Sequence, residues 1–276
     1  MSRVPITTII FTLNEEIHLP SCLDSLHWCD DIVVVDSFSD DKTQSICEAR
    51  SVRFFQNSFE GFGTQRNWAM DNTSPRYHWI LILDADERVT EELAEELASL
   101  ANNVSDTVGA YRLRRRFYMW GRWLRYSSLY PSWVVRLVHR DRVRYVNRGH
   151  GETQEVIGSI ESLQHDLIDE NLKGMHEWGE RQKRYAIKEA EFEMQQSGAR
   201  LQLVDLIDSD PMVRRAALKR LSWYAPARGL CYFIYSYLFR LGFLDGPCGF
   251  RFCRMKAAYQ NEIAKSKKRM RVPTKV

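Results

Sequence analysis

The chain has 276 residues, of which 44% are hydrophobic and 27% charged, an ordinary globular composition that excludes a disordered or fibrous protein. Its formal net charge of +3 hides a strong asymmetry. Residues 1–109 carry 19 acidic against 7 basic residues, residues 110–148 carry 11 arginines against Asp141 alone, and residues 251–276 carry 9 basic residues against Glu262.

From residue 4 to about 113, short apolar strands alternate with amphipathic helices, the pattern of a βαβ sheet. Ile6 to Leu13 is predicted as the first strand, and Asn14-Glu15-Glu16 opens a helix that tolerates Pro20 because it falls near the first turn. Ile32 to Val35 is a β-branched strand ending at Asp36, with Ser39 or Asp40 capping the next helix through Ala49. Val52 to Gln56 follows as a third strand, and Gly61-Phe62-Gly63 enters a helix holding Arg66 and Asn67. Trp79 to Leu83 is an apolar run read as a strand buried on both faces, and it stops abruptly at Asp84-Ala85-Asp86-Glu87. A helix over Thr90–Ala101 and a strand over Val108–Leu113 close this half.

Beyond residue 114 the chain turns irregular, with aromatics interleaved among arginines. Val134 to Val138 and Val143 to Val146 read as a hairpin turning at Arg140-Asp141. The loop Asn147-Arg148-Gly149-His150-Gly151-Glu152-Thr153 follows, then a strand from Ile160 to Leu167 that contains His165. The remainder is predicted helical, over Gly174–Ser197, Pro211–Tyr224, Pro226–Leu241 and Arg251–Lys268. Six cysteines without a Cys-x-x-Cys pair fit reduced thiols, and the opening Met1-Ser2-Arg3-Val4-Pro5-Ile6 lacks the character of a signal peptide, so a cytoplasmic location is expected.

The acids after Trp79–Leu83 are the most informative feature. Residues two apart in extended chain point the same way, so Asp84 and Asp86 aim at one point. Close carboxylates repel unless a cation or proton lies between them. A divalent cation holding a phosphate-bearing ligand is one reading, and a solvated turn leading into the next helix is the other. Three more polar clusters, Thr12 to Glu16, Asp36 to Asp40 and Arg66-Asn67, stand at the same sheet edge, and together they outline one cleft.

With those residues the chain resembles the family-2 inverting glycosyltransferases of GT-A fold, in the bacterial branch that builds lipopolysaccharide core, capsule or other lipid-linked glycans. Residues 4 to 100 carry the match. The resemblance implies an α/β GT-A fold with a Rossmann-like mixed sheet over residues 1–168, of which 1–113 bind the nucleotide sugar and 114–168 the acceptor. A helical extension, expected to associate with a membrane, fills 169–276. It implies Thr12, Asn14, Glu15, Asp36 and Ser39 for the base and ribose of a UDP-sugar, with helix capping the plain alternative for Asn14 and Ser39. Arg66 is expected near the diphosphate or on Asp84. Asp84 and Asp86 become a D-x-D site for Mg2+ or Mn2+, with Asp86 the direct ligand and Asp84 left between metal, ribose and Arg66.

Inversion needs a general base for the attacking hydroxyl. The branch commonly places a His-Glu pair after the basic region, seen here as His150-Gly151-Glu152 with a glycine inserted. Glu152 is the expected base, His150 its orienting partner, and Asp166 and Glu155 are rivals. His165 is expected to complete the metal sphere or to bind phosphate.

The zone from Arg112 to Arg148 suits either single-stranded nucleic acid or an anionic, sugar-bearing lipid headgroup. The second is preferred, with no nucleic-acid partner expected, because the cleft already requires a sugar acceptor. Leu230 to Phe239 is an apolar stretch between Arg228 and Arg240. It falls short of the roughly 20 residues that span a bilayer. An in-plane helix on the inner face of the cytoplasmic membrane is expected, aided by Arg214, Arg215, Lys219, Arg220 and the basic tail; a packed helical hairpin or dimer interface is the alternative. Gly242-Phe243-Leu244-Asp245-Gly246 matches a tail motif of the related enzymes. The expected reaction is metal-assisted transfer of a sugar from a nucleotide sugar to a hydroxyl of a lipid-linked or lipopolysaccharide-type acceptor. A sugar-nucleotide nucleotidyltransferase is the rival enzyme, but it wants a Gly-rich loop where this chain has Thr12 to Glu16. A nucleic-acid-binding protein using the arginine zone leaves the acidic cleft unexplained.

Overall fold

The computed structural model describes residues 4–100, 107–149, 151–196 and 203–271. Two units emerge, one from the described residues of Met1–Gly121, Val134–Asn147 and Gly151–Leu172, the other from those of Arg122–Trp133, Arg148–His150 and Lys173–Val276.

The first unit is mixed α/β. Its elements begin β1 (Ile6–Thr12), α1 (Leu19–Asp24), β2 (Asp31–Asp36), α2 (Thr43–Ala49), β3 (Arg53–Gln56), α3 (Phe62–Asn72) and β4 (Trp79–Asp84). In chain order β5 (Glu87–Val89), α4 (Glu91–Leu100), β6 (Val108–Met119), β7 (Arg122–Trp123), β8 (Ser132–His139), β9 (Val143–Arg148), β10 (Gly151–Val156) and β11 (Ser159–Asn171) follow, of which Arg122–Trp133 and Arg148 fall in the second unit. The main sheet runs β3-β2-β1-β4-β8-β6-β11-β5, and β9 and β10 form a separate pair.

Strands β1, β2, β3 and β4 are parallel, and the apolar runs of β1, β2 and β4 are buried on both faces: Ile9, Ile10, Val33, Val34, Val35 and Ile80 to Leu83 are all fully buried. Each such side chain contributes about 1.5–3 kcal/mol on burial, so the register is firmly held. That register matters for the site. Thr12 stands beside Asp36, Phe11 beside Asp84, and Asp36 beside Gln56, so four strands end their polar residues along one edge.

Strand β8 is not half of a hairpin with β9. It lies antiparallel on β4, pairing Trp79 with His139 and Leu81 with Leu137, while β9 pairs with β10. The reason is visible in α3, whose Asn67 side chain donates to the Tyr145 carbonyl at 2.8 Å and accepts from the Tyr145 N–H at 2.9 Å. Helix α3 thus takes the backbone of β9 that a hairpin would have used.

The second unit is helical: α5 (Met175–Gln195), a 3-10 turn at Leu203–Ile207, α6 (Pro211–Ser222), α7 (Arg228–Ile234) and α8 (Gly246–Arg271). The helix expected over Pro226–Leu241 breaks into α7, a π-helical turn over Tyr235–Phe239 and Leu241 at φ 59°. Ala186, Ala190, Tyr259 and Ile263 form its small core. Beside it Glu193 is buried with Arg228 and Lys267, each 2.8 Å away.

Candidate active site

The acidic turn after β4 separates its two aspartates electrostatically. Asp84 is clamped between two buried arginines, Arg66 Nη2 at 3.1 Å on Oδ1 and Arg136 Nη2 at 2.6 Å on Oδ2. Burial pushes this carboxyl up, but Arg136 and Arg66 outweigh it and hold it well below the ordinary carboxylate range. Arg136 also binds Glu87 Oε1 at 2.6 Å, and the Glu87 Oε2 accepts the Asp84 N–H at 3.1 Å. Glu87, fully buried, therefore shapes the turn and shares the arginine; burial is the main force raising its own carboxyl.

Asp86 has the opposite environment. Among the described residues, no hydrogen bond or ion pair reaches its carboxylate. Burial raises its carboxyl well above the ordinary range, and Asp169, Asp84, Glu87 and Glu15 raise it further. The Asp86 carbonyl accepts the Glu170 N–H at 2.9 Å, and β5 pairs antiparallel with β11, so the end of β11 delivers Asp169 to this turn. Asp169 itself pairs with Arg115 at 3.0 Å. An acid short of positive partners and surrounded by other acids fits a divalent cation, which binds carboxylate oxygens and tolerates one or two of them.

Arg66 is positioned by α3. Asn147 Oδ1 accepts the Gly63 N–H at 2.8 Å at the start of that helix, where a Cβ on Gly63 would meet the Asn147 nitrogen at 3.0 Å. The guanidinium lies 5.7 Å from the Phe11 ring centre and 5.5 Å from that of Tyr145. It also pairs with Glu152 of β10. Asp84, Arg66 and Glu152 are thus linked in one chain of contacts, which the sequence separation does not suggest.

The ends of β1 and β2 form a tight polar knot. Asp36 is fully buried and accepts from Thr12 Oγ1 at 2.8 Å, from the Ser39 N–H at 2.8 Å, from the Ser39 hydroxyl and from Gln56 at 3.3 Å. Ser39 Oγ in turn accepts the Asn14 N–H at 2.8 Å, and Asn14 Oδ1 accepts the Asp40 N–H at 2.9 Å, with Asn14 at φ 55°. Neither residue acts as a helix cap; they cross-link two loops. Glu15 pairs with His18 Nδ1 at 2.7 Å, and His18 Nε2 accepts the Leu172 N–H at 2.8 Å. The apolar side chains of Leu13, Ile17 and Phe38 stand exposed beside this knot.

Several expected site residues fall elsewhere. His165 is not brought to the acids: its Nδ1 pairs with Glu96 of α4 at 2.9 Å. It sits five residues before Glu170 on β11, roughly 16 Å along a strand. Asp166 is paired with Arg114 at 2.8 Å and Arg116 at 2.6 Å. Glu155 is exposed, and its odd spacing from Glu152 on β10 turns it to the other face. His150 lies outside the described residues. Glu87, Arg136, Arg115 and Asp169 are the residues that sequence reasoning did not place in the site. A lone arginine within the apolar run of β8 was the available signal, since a buried charge requires a partner. The arginine zone likewise spends much of its charge inward, on Asp84, Glu87, Asp166 and Asp169.

This α/β fold and its acidic strand-end cleft are those of a glycosyltransferase domain. More particularly, the chain belongs to glycosyl transferase family 2, which matches residues 7–169. It is 32% identical over 148 residues to the lipopolysaccharide core biosynthesis glycosyltransferase LpsC of Rhizobium meliloti (strain 1021), covering 52% of this chain and 54% of that protein. An uncharacterized glycosyltransferase of Rickettsia bellii (strain RML369-C) is 32% identical over 111 residues, 40% of this chain and 37% of its own. The chain therefore spans about half, or less, of the length of these curated relatives. Among solved structures, glucosyl-3-phosphoglycerate synthase from Mycobacterium tuberculosis, in complex with Mn2+, UDP-glucose and phosphoglyceric acid, aligns at TM-score 0.44 and 15% identity over 69% of this chain and 79% of that one.

Proposed function

We propose that the chain transfers a sugar, with anomeric inversion, from a UDP-sugar to a hydroxyl of a lipid-linked or lipopolysaccharide-type glycan at the inner face of the cytoplasmic membrane. The observation that carries the reading is the contrast within the acidic turn: Asp84 is neutralised by Arg66 and Arg136, while Asp86 has no cationic partner among the described residues. Asp86 would hold Mg2+ or Mn2+, with Asp169, the acid that raises it most, as a further candidate. When bound, the cation neutralises charge that grows on the departing diphosphate.

The remaining roles fall to the chain's own residues. Thr12, Asn14, Glu15 and Ser39 offer polar groups to the nucleoside, with Asp36 fixing Thr12 and Ser39, and exposed Phe38 presents an aromatic face to the base. A nucleoside donor that reaches Asp36 would take the place of the Ser39 hydroxyl. Arg66 holds Asp84 and Glu152 together, and Glu152 accepts the proton of the attacking hydroxyl. Homology to LpsC supports a lipopolysaccharide-core type of acceptor.

The test is transfer from radiolabelled UDP-sugars to a lipopolysaccharide acceptor in Mn2+ buffer. Glu152→Gln is expected to keep UDP binding and lose roughly 100- to 10,000-fold in transfer, the usual contribution of a general base. Full transfer by that variant would move the base elsewhere.

A further inference from the structure

The opposite end of β4 carries a second convergence of ligand-type side chains. His78 immediately precedes β4, His139 closes β8, and Asp141 lies in the turn that follows. From there β4 runs six residues to Asp84, about 20 Å, so this group is separate from the acidic cleft.

The antiparallel ladder builds the group rigidly. Trp79 pairs with His139, and the Arg140 N–H donates to the His78 carbonyl at 2.9 Å. The two imidazoles stack at 5.5 Å with planes 20° apart, and the Trp79 ring meets His139 edge-on at 5.3 Å. Both converge on one oxygen: Asp141 Oδ2 is 2.9 Å from His78 Nδ1 and 3.9 Å from His139 Nδ1. The Asp141 N–H points to His139 Nδ1 at 3.4 Å, which marks that nitrogen as bearing a lone pair. The same nitrogen lies 3.9 Å from Asp141 Oδ2, within reach of an ion that bridges the two in place of that N–H contact.

The dimensions suit a small ion. One ligand atom from each residue lies within 4.8 Å of the others. In a tetrahedral zinc site with bonds of about 2.0–2.1 Å, ligand atoms are about 3.3 Å apart, between the two distances to Asp141 Oδ2. Arg140 Nε approaches the other oxygen, Oδ1, at 3.7 Å and leaves Oδ2 to the imidazoles. A simple surface ion pair of His78 and Asp141 would explain one imidazole and not the second.

We propose that His78, His139 and Asp141 form a divalent transition-metal site that prefers Zn2+ to Mg2+ or Mn2+. Imidazole nitrogens suit zinc, copper and nickel, whereas carboxylates and water suit magnesium and manganese. The ion ties the start of β4 to the end of β8, the two strands that supply Asp84 and Arg136 to the cleft.

The experiment is calorimetric titration of the EDTA-treated, full-length protein with Zn2+, accompanied by thermal unfolding. Wild type is expected to bind one Zn2+ at this site, beyond any ion taken by the acidic turn, and to gain in Tm. His78→Ala and His139→Ala should each weaken binding at least tenfold, and Asp86→Asn should leave it intact. Equal Zn2+ binding by wild type and the double variant H78A/H139A overturns the proposal, as does loss of the site in Asp86→Asn. If His139→Ala lowers the metal-free Tm, His78→Gln, at a position 69% exposed, carries the same comparison without disturbing the ladder.

Discussion

Two aspartates separated by one alanine do different work because their neighbours differ. Asp84 faces Arg66 and Arg136, whereas Asp86 faces Asp169, Glu87 and Glu15. The pH response of Asp86 follows from this. Its carboxyl is raised in the folded protein, so the folded state holds a proton that the unfolded chain releases, and metal-free stability falls as pH rises through the window above the ordinary carboxyl value. Cation binding needs the carboxylate, so protection by Mn2+ grows across the same window. Melting curves between about pH 5 and 8 should show that widening gap in wild type. Asp86→Asn, relieved of like-charge repulsion, should melt roughly 2–4 °C higher without metal, the effect of about 1 kcal/mol in a domain this size, and should gain nothing from Mn2+. A wild-type gap that stays constant with pH would argue against Asp86 as the ligand. The two aspartates were legible in the sequence because they end an apolar strand. Arg136 and Asp169 were not, because β8 and β11 join this edge through pairings that no local pattern encodes. The same gap misplaced His165: which end of β11 meets the acids depends on its register with β5, which puts Asp169 opposite Glu87.

At the scale of elements, α3 is the component that carries Arg66 into the cleft, and its docking rests on two asparagines. Asn67 mimics a neighbouring strand for Tyr145, and Asn147 satisfies the Gly63 N–H at the helix start. Asn67→Ala leaves a backbone donor and acceptor of Tyr145 without those partners, at about 1–3 kcal/mol for each buried group. The variant should lose several degrees of Tm and should also lose transfer activity beyond what its folded fraction explains, since Arg66 loses its anchor. Activity that tracks folded fraction alone would confine Asn67 to stability. The strand and helix alternation through residue 100 was readable from period and punctuation, and the structure follows it closely. The hairpin reading failed because alternation shows that β8 and β9 are strands but not what they pair with. The Gly242 to Gly246 motif also acquires a physical role within the helical unit. Asp245 accepts the N–H groups of Tyr126 at 3.0 Å and Ser127 at 2.7 Å, and a Cβ on Gly242 would meet the Ser236 carbonyl at 2.6 Å.

For the molecule as a whole, the helical unit presents apolar side chains that its own packing does not use. Leu230, Leu238, Phe239 and Leu244 are 58%, 53%, 76% and 54% exposed, whereas Phe233 and Tyr237 stack on each other at 5.1 Å and both meet Phe250 edge-on. No helix among the described residues is long and apolar enough to cross a membrane. Peripheral docking on anionic lipid is the reading proposed for this surface, with the basic residues of α6 and α8 as its electrostatic complement. Changing the four exposed residues to serine should abolish co-sedimentation with phosphatidylglycerol-containing vesicles while leaving Tm within about 2 °C. Phe233→Ser and Tyr237→Ser should instead lower Tm. Vesicle binding that survives the fourfold change would remove this surface from the membrane reading.

The acidic turn after β4 is proposed to hold a divalent cation for a uridine diphosphate sugar. Thermal unfolding with UDP, with and without Mn2+, tests it on wild type and Asp86→Asn side by side. The expected result is a UDP-dependent rise in Tm for wild type that requires Mn2+ and is absent from Asp86→Asn; equal stabilisation by UDP without metal, or in the variant, would contradict it.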